Sequence, residues 1–179
     1  MPEGLGEKID VLDVLLRSCG SRELLKLLLV RMRAEQSLSV QEMVGIYESI
    51  AQERVIPLSI FSGLLYPQEA LCKYLREQEQ LSNGQIATLL NKDIHSIWAT
   101  YKRARRKKKE KFHLEQKELM IPLSWLQHEK RSILESVVYY LWQVHHLKTK
   151  EIAQHLGNSQ SSVAVILKRA KEKDETRRT

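Results

Sequence analysis

The chain has 179 residues, of which 42% are hydrophobic and 28% are charged, with only 7 glycines and 4 prolines. This length suits one ordinary domain or two to three small ones, and the composition is typical of an all-helical protein. The longest apolar run, Leu24–Val30, is interrupted by Lys26 and is too short to span a membrane. The first residues lack the pattern of a signal peptide, so neither a membrane partner nor secretion is expected.

The positive charge is concentrated in the later part of the chain. The 29 basic residues exceed the 22 acidic ones, which gives a net charge of +7. Residues 1–54 carry 7 basic and 9 acidic residues, whereas residues 55–179 carry 22 and 13. Such an excess favours binding of a polyanion by residues 55–179.

Residues 1–54 predict a small helical domain of three helices. The second helix, Arg22 to about Glu35, is apolar around more than half of its circumference and must be covered on two sides. The third helix runs from about Val40 to Gln52, with Ser39 as its cap. The apolar surface of Leu24–Met32 fits either the core of this domain or a homodimer interface, and both interpretations stay open.

From residue 55 onward the sequence repeats itself. Val55–Phe61 matches Met120–Leu126, and both stretches contain the letters I-P-L-S. Leu81–Lys111 matches Leu147–Lys173, and the offset between counterparts is larger by a single residue than in the first match. A nearly fixed offset of this kind indicates a repeated structural unit. We therefore predict a domain of residues 1–54 followed by two three-helix modules, unit one (residues 55–111) and unit two (residues 112–179).

Within each unit the residues predict a helix-turn-helix. Ala87 and Ala153 lie where two helices are expected to cross closely, which requires a small side chain. Asn91 and Gly157 lie at the turn, where the backbone is expected to be left-handed and these residue types are tolerated best. Helix-capping residues begin the second and third helices: Ser82 with Gln85, then Asp93 in unit one and Ser159 in unit two.

The third helix of each unit is predicted to bury one stripe and expose the rest. The predicted buried residues are Ile97, Thr100, Tyr101 and Ala104 in unit one, and Val163, Ile166, Leu167 and Ala170 in unit two. In a helix-turn-helix, the N-terminal part of this helix reads the base edges in the major groove. The predicted base-contact residues are Ile94, His95, Ser96 and Ala99, and Gln160, Ser161, Ser162 and Val165. Gln160 suits a bidentate contact with adenine, and Ile94 suits a thymine methyl group.

A run of positive charge, the basic segment (residues 102–111), follows the third helix of unit one. Eight of its ten residues are Lys or Arg, and Glu110 is its one acid. A solvated helix or linker is the alternative to phosphate contact, which we favour because the run leaves directly from the third helix. We expect that helix to continue through Phe112 and Leu114 and to join the units as a basic helix. The predicted phosphate-binding residues are Lys92, Lys102, Arg103, Arg105, Arg106, Lys107, Lys108, Lys109, Lys168 and Arg169. For Trp98 we expect packing at the core edge rather than base contact.

Two motifs carry a resemblance to a known family. The pattern L-S-x-x-Q-I-A-x-L-L-N at residues 81–91, and L-G-x-S-x-S-S-V at residues 156–163, resemble the helix-turn-helix of sigma-factor region 4 and of response-regulator output domains. The resemblance covers about residues 56–111 and 121–173 and implies binding of double-stranded DNA. Unit two departs from the pattern at Lys148, where Ser or Thr usually caps the second helix, with Thr149 as a substitute cap. No sigma region 2 is recognisable, so a complete sigma factor is not expected.

No catalytic constellation stands out. The sequence has no P-loop, GxGxxG, HExxH or GxSxG motif, so we expect neither an enzyme nor a cofactor. Glu69 and Glu135 are interpreted as charges at helix starts rather than an acid–base pair. Three histidines near one another in unit two lack a further ligand, so no metal site is expected: His145, His146 and His155. Cys19 and Cys72 are expected to be small buried residues.

These patterns together predict a cytoplasmic, nucleoid-associated transcription regulator that binds double-stranded DNA in a sequence-specific way through both units. Two alternatives stay open. Helix-turn-helix folds also serve as docking modules for RNA polymerase or another regulator, because fold does not fix function. An RNA-binding protein would use the same basic segment.

Overall fold

The computed structural model describes residues 39–51, 53–114, 118–128 and 130–175, together with isolated positions between residues 23 and 33. Among these residues the secondary structure is helical apart from one two-stranded sheet, so the predicted all-α class is confirmed. The chain divides into two compact parts, an N-terminal part (residues 1–52) and a C-terminal part (residues 53–179). Unit one and unit two therefore both lie in the C-terminal part.

The N-terminal part contains helix α1, Val40–Ala51. Ser39 and Glu42 form a reciprocal cap, because the Ser39 amide donates to Glu42 Oε2 at 2.7 Å and the Glu42 amide donates to Ser39 Oγ at 3.2 Å. The predicted third helix of this domain is thus confirmed. The predicted first helix and Cys19 lie outside the described residues, as does most of the apolar segment Leu24–Met32.

The C-terminal part contains the two repeats, whose secondary-structure elements follow one another in the same order. Unit one contains β1 (Val55–Pro57), a 3₁₀ helix (Leu58–Phe61), α2 (Pro67–Glu77), α3 (Asn83–Leu89) and α4 (Ile94–Lys107). Unit two contains β2 (Met120–Pro122), α5 (Leu123–Leu126), α6 (Ile133–Gln143), α7 (Thr149–Leu156) and α8 (Gln160–Glu175). Within the described residues no helix is long and apolar enough to cross a membrane.

The repeat extends to the backbone dihedral angles. Asn91 has φ of 49° and Gly157 has φ of 64°, so the predicted left-handed turn before the third helix is confirmed in both units. Gln80 (φ 55°) and His146 (φ 53°), which are also counterparts in the two repeats, form a second left-handed pair at the end of the first helix. The two units therefore share the same two reversals of chain direction.

The core of each unit forms where the third helix packs across the first. In unit one α4 lies on α2, and in unit two α8 lies on α6. The predicted buried stripe is confirmed for six of its eight residues, while Tyr101 and Ile166 are half-buried. Fully buried isoleucines from the second helices, Ile86 and Ile152, complete these cores. Cys72 on α2 is buried as predicted, and burial raises the pKa of its thiol to about 12.

The two-stranded sheet was not predicted, and it joins the two repeats. β1 pairs antiparallel with β2, and Ile56 lies opposite Ile121 at the centre of the ladder. Each strand has only three residues, which is too short for independent stability. Both isoleucines are completely buried, so packing of the helices around them stabilises the pairing. Pro57 and Pro122 end the strands, where the missing amide proton is tolerated.

Helix α4 does not continue through the basic segment, so the prediction of a basic helix joining the units is wrong. The helix ends at Lys107, and Lys108 is extended with φ of −135° and ψ of 108°. Like charges one turn apart destabilise a helix, and the basic segment places such charges all round it. Past the helix end, Gln78 Nε2 donates to the Phe112 carbonyl at 2.9 Å and directs the chain back towards α2.

Candidate nucleic-acid interface

The third helix of each unit begins at a capped N-terminus. In α4, Asp93 Oδ1 accepts from the amides of His95 at 2.8 Å and Ser96 at 3.1 Å. In α8, Ser159 Oγ accepts from the Ser162 amide at 3.2 Å. Both predicted caps are confirmed, and they fix the first turn of each helix. The residues of these first turns therefore have defined positions on the surface.

The predicted base-contact residues form two exposed groups, one on each third helix. Seven of the eight are exposed, and Ala99 is half-buried. Ile94 is 46% exposed and Val165 is 50% exposed, although both are apolar. An exposed apolar side chain among polar ones is unremarkable singly, but here one stands on each third helix. The surface thus offers both hydrogen-bonding and methyl-contacting groups.

The second helix of unit two begins differently from the predicted one. Lys148 is the N-cap residue, and its amide donates to Glu151 Oε2 at 2.7 Å, which supplies one half of a capping box. Thr149 is the first helical residue, so the expectation that it caps this helix is wrong. Its hydroxyl instead accepts from Gln160 Nε2 at 3.3 Å, which holds the Gln160 side chain beside α7.

Trp98 is exposed, and the expectation that it packs at the core edge is wrong. Its exposed fraction is 52%, and Lys102 Nζ lies 4.7 Å from the centre of its ring. The buried stripe of α4 passes through its neighbour Ile97, and one residue corresponds to about 100° around a helix. Trp98 is therefore turned away from the core, and it offers an exposed aromatic face with a cation beside it.

A shallow groove runs along α4 on this side of the helix. Its lining is aromatic and basic, from Trp98, Tyr101, Lys102, Arg105, Arg106 and Lys109. Four of these residues, 98, 102, 105 and 109, follow one another at intervals of three or four, so they form one stripe. The sequence predicts the cations of this groove but not the position of Trp98 and Tyr101 among them.

Lys107 forms a close ion pair within the protein, and Arg103 Nε lies 3.8 Å from the same carboxylate, that of Glu69. Lys107 Nζ lies 2.8 and 3.0 Å from the two carboxylate oxygens of Glu69 and 4.2 Å from the centre of the Tyr66 ring. Glu69 is 4% exposed, so this ion pair joins the end of α4 to a buried carboxylate in the first turn of α2. The charge of Lys107 is thus compensated within the protein. A contact between residues 38 positions apart has no local sequence signal.

Unit two repeats this ion pair at the equivalent residues. Lys173 Nζ donates to Glu135 Oε2 at 2.7 Å. Burial raises the pKa of Glu135, but its hydrogen bonds with Lys173 and Ser132 outweigh burial and leave the pKa below its ordinary value. Glu69 and Glu135 also accept from the N-cap amides of α2 and α6, which confirms their predicted place at helix starts.

The remaining predicted phosphate-binding residues are nearly all exposed. Lys108 is half-buried, with Nζ 4.7 Å from the centre of the Phe112 ring. The exposed ones are Lys92, Lys102, Arg103, Arg105, Arg106, Lys109, Lys168 and Arg169. Six belong to unit one and two to unit two, so unit one presents the greater positive charge.

The histidines of unit two are not arranged as a metal site. No group of three His, Cys, Asp or Glu side chains that could hold a metal ion occurs in the part of the chain that the structure describes. His145 lies edge-on to Tyr140, with the ring centres 5.2 Å apart. Burial, followed by the neighbouring His146, lowers the pKa of His145.

Comparison with protein-family models, with curated proteins and with solved structures gave no significant match. The resemblance to sigma-factor region 4 therefore rests on the residues quoted for it.

Proposed function

We propose that the chain is a transcription regulator that binds double-stranded DNA, with α4 and α8 as its two recognition helices. The proposal rests on the arrangement of the two third helices. Both third helices bury equivalent stripes and expose the N-terminal positions that a helix-turn-helix uses to read bases. A single α-helix fits the major groove of B-DNA, so each helix suits one half of a binding site.

The exposed side chains have the chemistry for base readout. Gln160 is held beside α7 by Thr149, and a positioned glutamine amide matches the N6 and N7 atoms of adenine. Ile94 and Val165 suit the methyl group of thymine. The two helices differ at these positions, so each reads its own sequence.

The exposed cations of the α4 groove and of α8 supply the sequence-independent part of the affinity. Phosphate contacts release counterions from DNA, which makes binding fall with rising salt. The concentration of these cations in unit one assigns it the larger share of phosphate contact. Such a protein would act in the cytoplasm, in association with the nucleoid.

Docking to RNA polymerase or to another regulator is the second candidate function. The observation that favours it is the exposed apolar surface of the third helices, with Ile94, Trp98 and Val165 each about half exposed. Aromatic residues beside arginines are also typical of protein interfaces. RNA binding would instead place single-stranded bases on Trp98, because unstacked bases pack on aromatic rings.

The deciding experiment is fluorescence anisotropy of random-sequence duplex DNA over a salt series. We compare the wild type with R105E/R106E, which reverses two exposed charges in the α4 groove. The matched control is K26E/K130E, which makes the same charge change at exposed positions outside the third helices. If both arginines contact phosphates, the slope of log K against log salt falls by about 1.8 in R105E/R106E, at roughly 0.9 per contact.

An equal loss in the control variant would indicate a non-specific effect of net charge and contradict the proposed interface. Absence of wild-type binding at about 50 mM salt, where phosphate contacts are strong, would sink the DNA function. The two units would then be docking surfaces. Structured RNA that displaces the duplex at equal concentration would favour the RNA alternative.

A further inference from the structure

The two repeats are related by a two-fold rotation. Ile56 pairs with Ile121, which is its own counterpart in the other repeat. The flanking pairs, Val55 with Pro122 and Pro57 with Met120, become each other when the two repeats are exchanged. An antiparallel ladder that maps onto itself in this way has a two-fold axis through its central pair. Repeats related by translation would not form this ladder.

The hydrogen bonds next to the ladder obey the same rotation. The Leu58 amide donates to the Leu119 carbonyl at 2.9 Å, and the Leu123 amide donates to the Arg54 carbonyl at 2.8 Å. Side chains repeat the exchange one residue further on: Ser59 N donates to Glu118 Oε2 at 3.2 Å and Ser124 N donates to Glu53 Oε1 at 3.0 Å. Exchange of the two repeats turns each of these bonds into its partner bond, so the rotation extends beyond the strands.

The short helix of each unit also contacts the other unit, although the two contacts are not made by equivalent bonds. Gln127, which ends the short helix α5 of unit two, donates from Nε2 to the Leu89 carbonyl at the end of α3 in unit one at 2.6 Å. Its counterpart Ser62 ends the 3₁₀ helix of unit one, and its carbonyl lies beside Gly157 at the end of α7 in unit two. Each unit therefore contacts the other at the end of its second helix.

The internal geometry of each unit is also the same, as the ion pairs Glu69–Lys107 and Glu135–Lys173 show. The rotation that exchanges the strands consequently exchanges the third helices, α4 and α8. A single chain thus has the symmetry that two subunits of a helix-turn-helix dimer normally supply. In such dimers the half-sites on DNA are inverted, because the symmetry of the operator mirrors that of the protein.

We infer that one chain binds two half-sites in inverted orientation, one under α4 and the other under α8. This inference rests on the proposed DNA-binding function and adds the arrangement of its target. Half-sites read from one face of the duplex lie about 10 base pairs apart, or a multiple of that spacing.

The natural target does not look like a palindrome. Over the first six positions of α4 and α8, the residues outside the buried stripe differ at four equivalent positions and agree at Ser96 and Ser162. The differing pairs are Ile94 and Gln160, His95 and Ser161, Trp98 and Ala164, and Ala99 and Val165. The sequence of the natural DNA target therefore does not show that its half-sites are inverted. A protein variant whose two third helices read the same half-site is needed to show it.

The test is selection of binding sites from a random duplex pool with the variant I94Q/H95S/W98A/A99V. These substitutions give the N-terminal part of α4 the residues that α8 has at the equivalent positions, and they leave buried Ile97 unchanged. The expected product is an inverted repeat of one half-site, bound by one chain per duplex as measured by the mass of the complex in sedimentation. The wild type, selected in parallel, is expected to enrich two unlike half-sites.

A direct repeat, a single half-site, no enriched motif, or two chains per inverted repeat would overturn the inference. If thermal melting shows that the variant is unfolded, hydroxyl-radical footprinting of the wild type on its own selected site decides instead. Two protected patches related by a dyad support the inference, and patches related by translation overturn it. Failure of the wild type to bind any duplex is a different result, because it removes the proposed function itself.

Discussion

Lys73 is the largest of the completely buried side chains in the described part of the chain. Its ammonium forms an ion pair with Glu77, and the Tyr101 hydroxyl donates to the same carboxylate at 3.2 Å. A buried charge has lost its hydration, so the buried Lys73 ammonium depends on the Glu77 carboxylate for compensation. The pair lies within α2, and the Tyr101 hydroxyl links it to α4 at the groove that we assign to DNA.

Removing Glu77 alone is therefore expected to lower the free energy of unfolding more than removing Lys73 alone. In Glu77→Ala the ammonium of Lys73 stays buried without its carboxylate, and we expect a loss of about 3–5 kcal/mol in the free energy of unfolding. In Lys73→Met the carboxylate keeps the Tyr101 hydroxyl and an apolar side chain fills the space, so the loss is smaller. Urea unfolding of both variants measures the difference, and equal losses would contradict this account.

Trp98 provides an optical test of the interface. It is 52% exposed, whereas Trp125 and Trp142 are half-buried in unit two. If α4 enters the groove of DNA, duplex addition changes the surroundings of Trp98 most. We expect duplex DNA to quench tryptophan emission of the wild type and to quench W98F far less. Undiminished quenching in W98F would place the DNA elsewhere, and W142F is the matched control.

At this scale the sequence predicted what depends on neighbours along the chain. The caps at Ser82, Asp93 and Ser159 follow from side chains two or three residues from the amides they bind. The role of Lys107 was missed because its partner Glu69 is far away along the chain. The exposure of Trp98 does not follow from its place beside Ile97 in the sequence, because one residue turns a side chain by about 100° around the helix.

The turn before each third helix is the element on which the interface depends. Gly157 has φ of 64° and Asn91 has φ of 49°, so unit two uses the residue best suited to this backbone and unit one the next best. A Cβ at residue 157 would meet the Ser62 carbonyl only at 3.8 Å, an ordinary contact. The cost of a side chain there is therefore conformational and not steric.

Gly157→Ala is expected to destabilise the protein by roughly 1–2 kcal/mol, which is the cost of a left-handed residue with a Cβ. Asn91→Gly relieves the same strain in unit one, so it is expected to leave the stability unchanged or slightly higher. Thermal unfolding of both variants measures the effects. A loss in Asn91→Gly as large as that in Gly157→Ala would show that these turns are not held by backbone conformation.

The three main helices of each repeat followed from the sequence, but the short helix before them in each unit and two features of their connection did not. The hydrophobic stripe and caps fix where α4 begins, whereas its end at Lys107 depends on charge crowding and on the bond from Gln78 to Phe112. The IPLS stretches were recognised as repeated. Their pairing as strands was missed because such short strands carry no alternating pattern.

For the whole molecule, the nearly constant offset of the repeats showed that there are two units but not how they are related. A repeat in sequence is compatible with translation or with rotation. The choice is made by contacts between counterparts in the two repeats, such as Ile56 with Ile121. These contacts make the units interdependent, because each short strand has its only strand partner, among the described residues, in the other unit.

Interdependent units should unfold together. W125F/W142F leaves Trp98 as the reporter of unit one, and W98F leaves the two tryptophans of unit two. We expect the Trp98 signal of W125F/W142F and the signal of W98F to report one denaturant transition, as in a two-state protein. The effect of the tryptophan substitutions on stability is first subtracted from each midpoint. Ile56→Ala lies in unit one, and we expect it to lower both transitions equally, at a cost of about 2–5 kcal/mol for a buried isoleucine. A shift confined to the Trp98 signal would mean that the units fold separately and that the two-fold sheet does not fix the relation of α4 to α8.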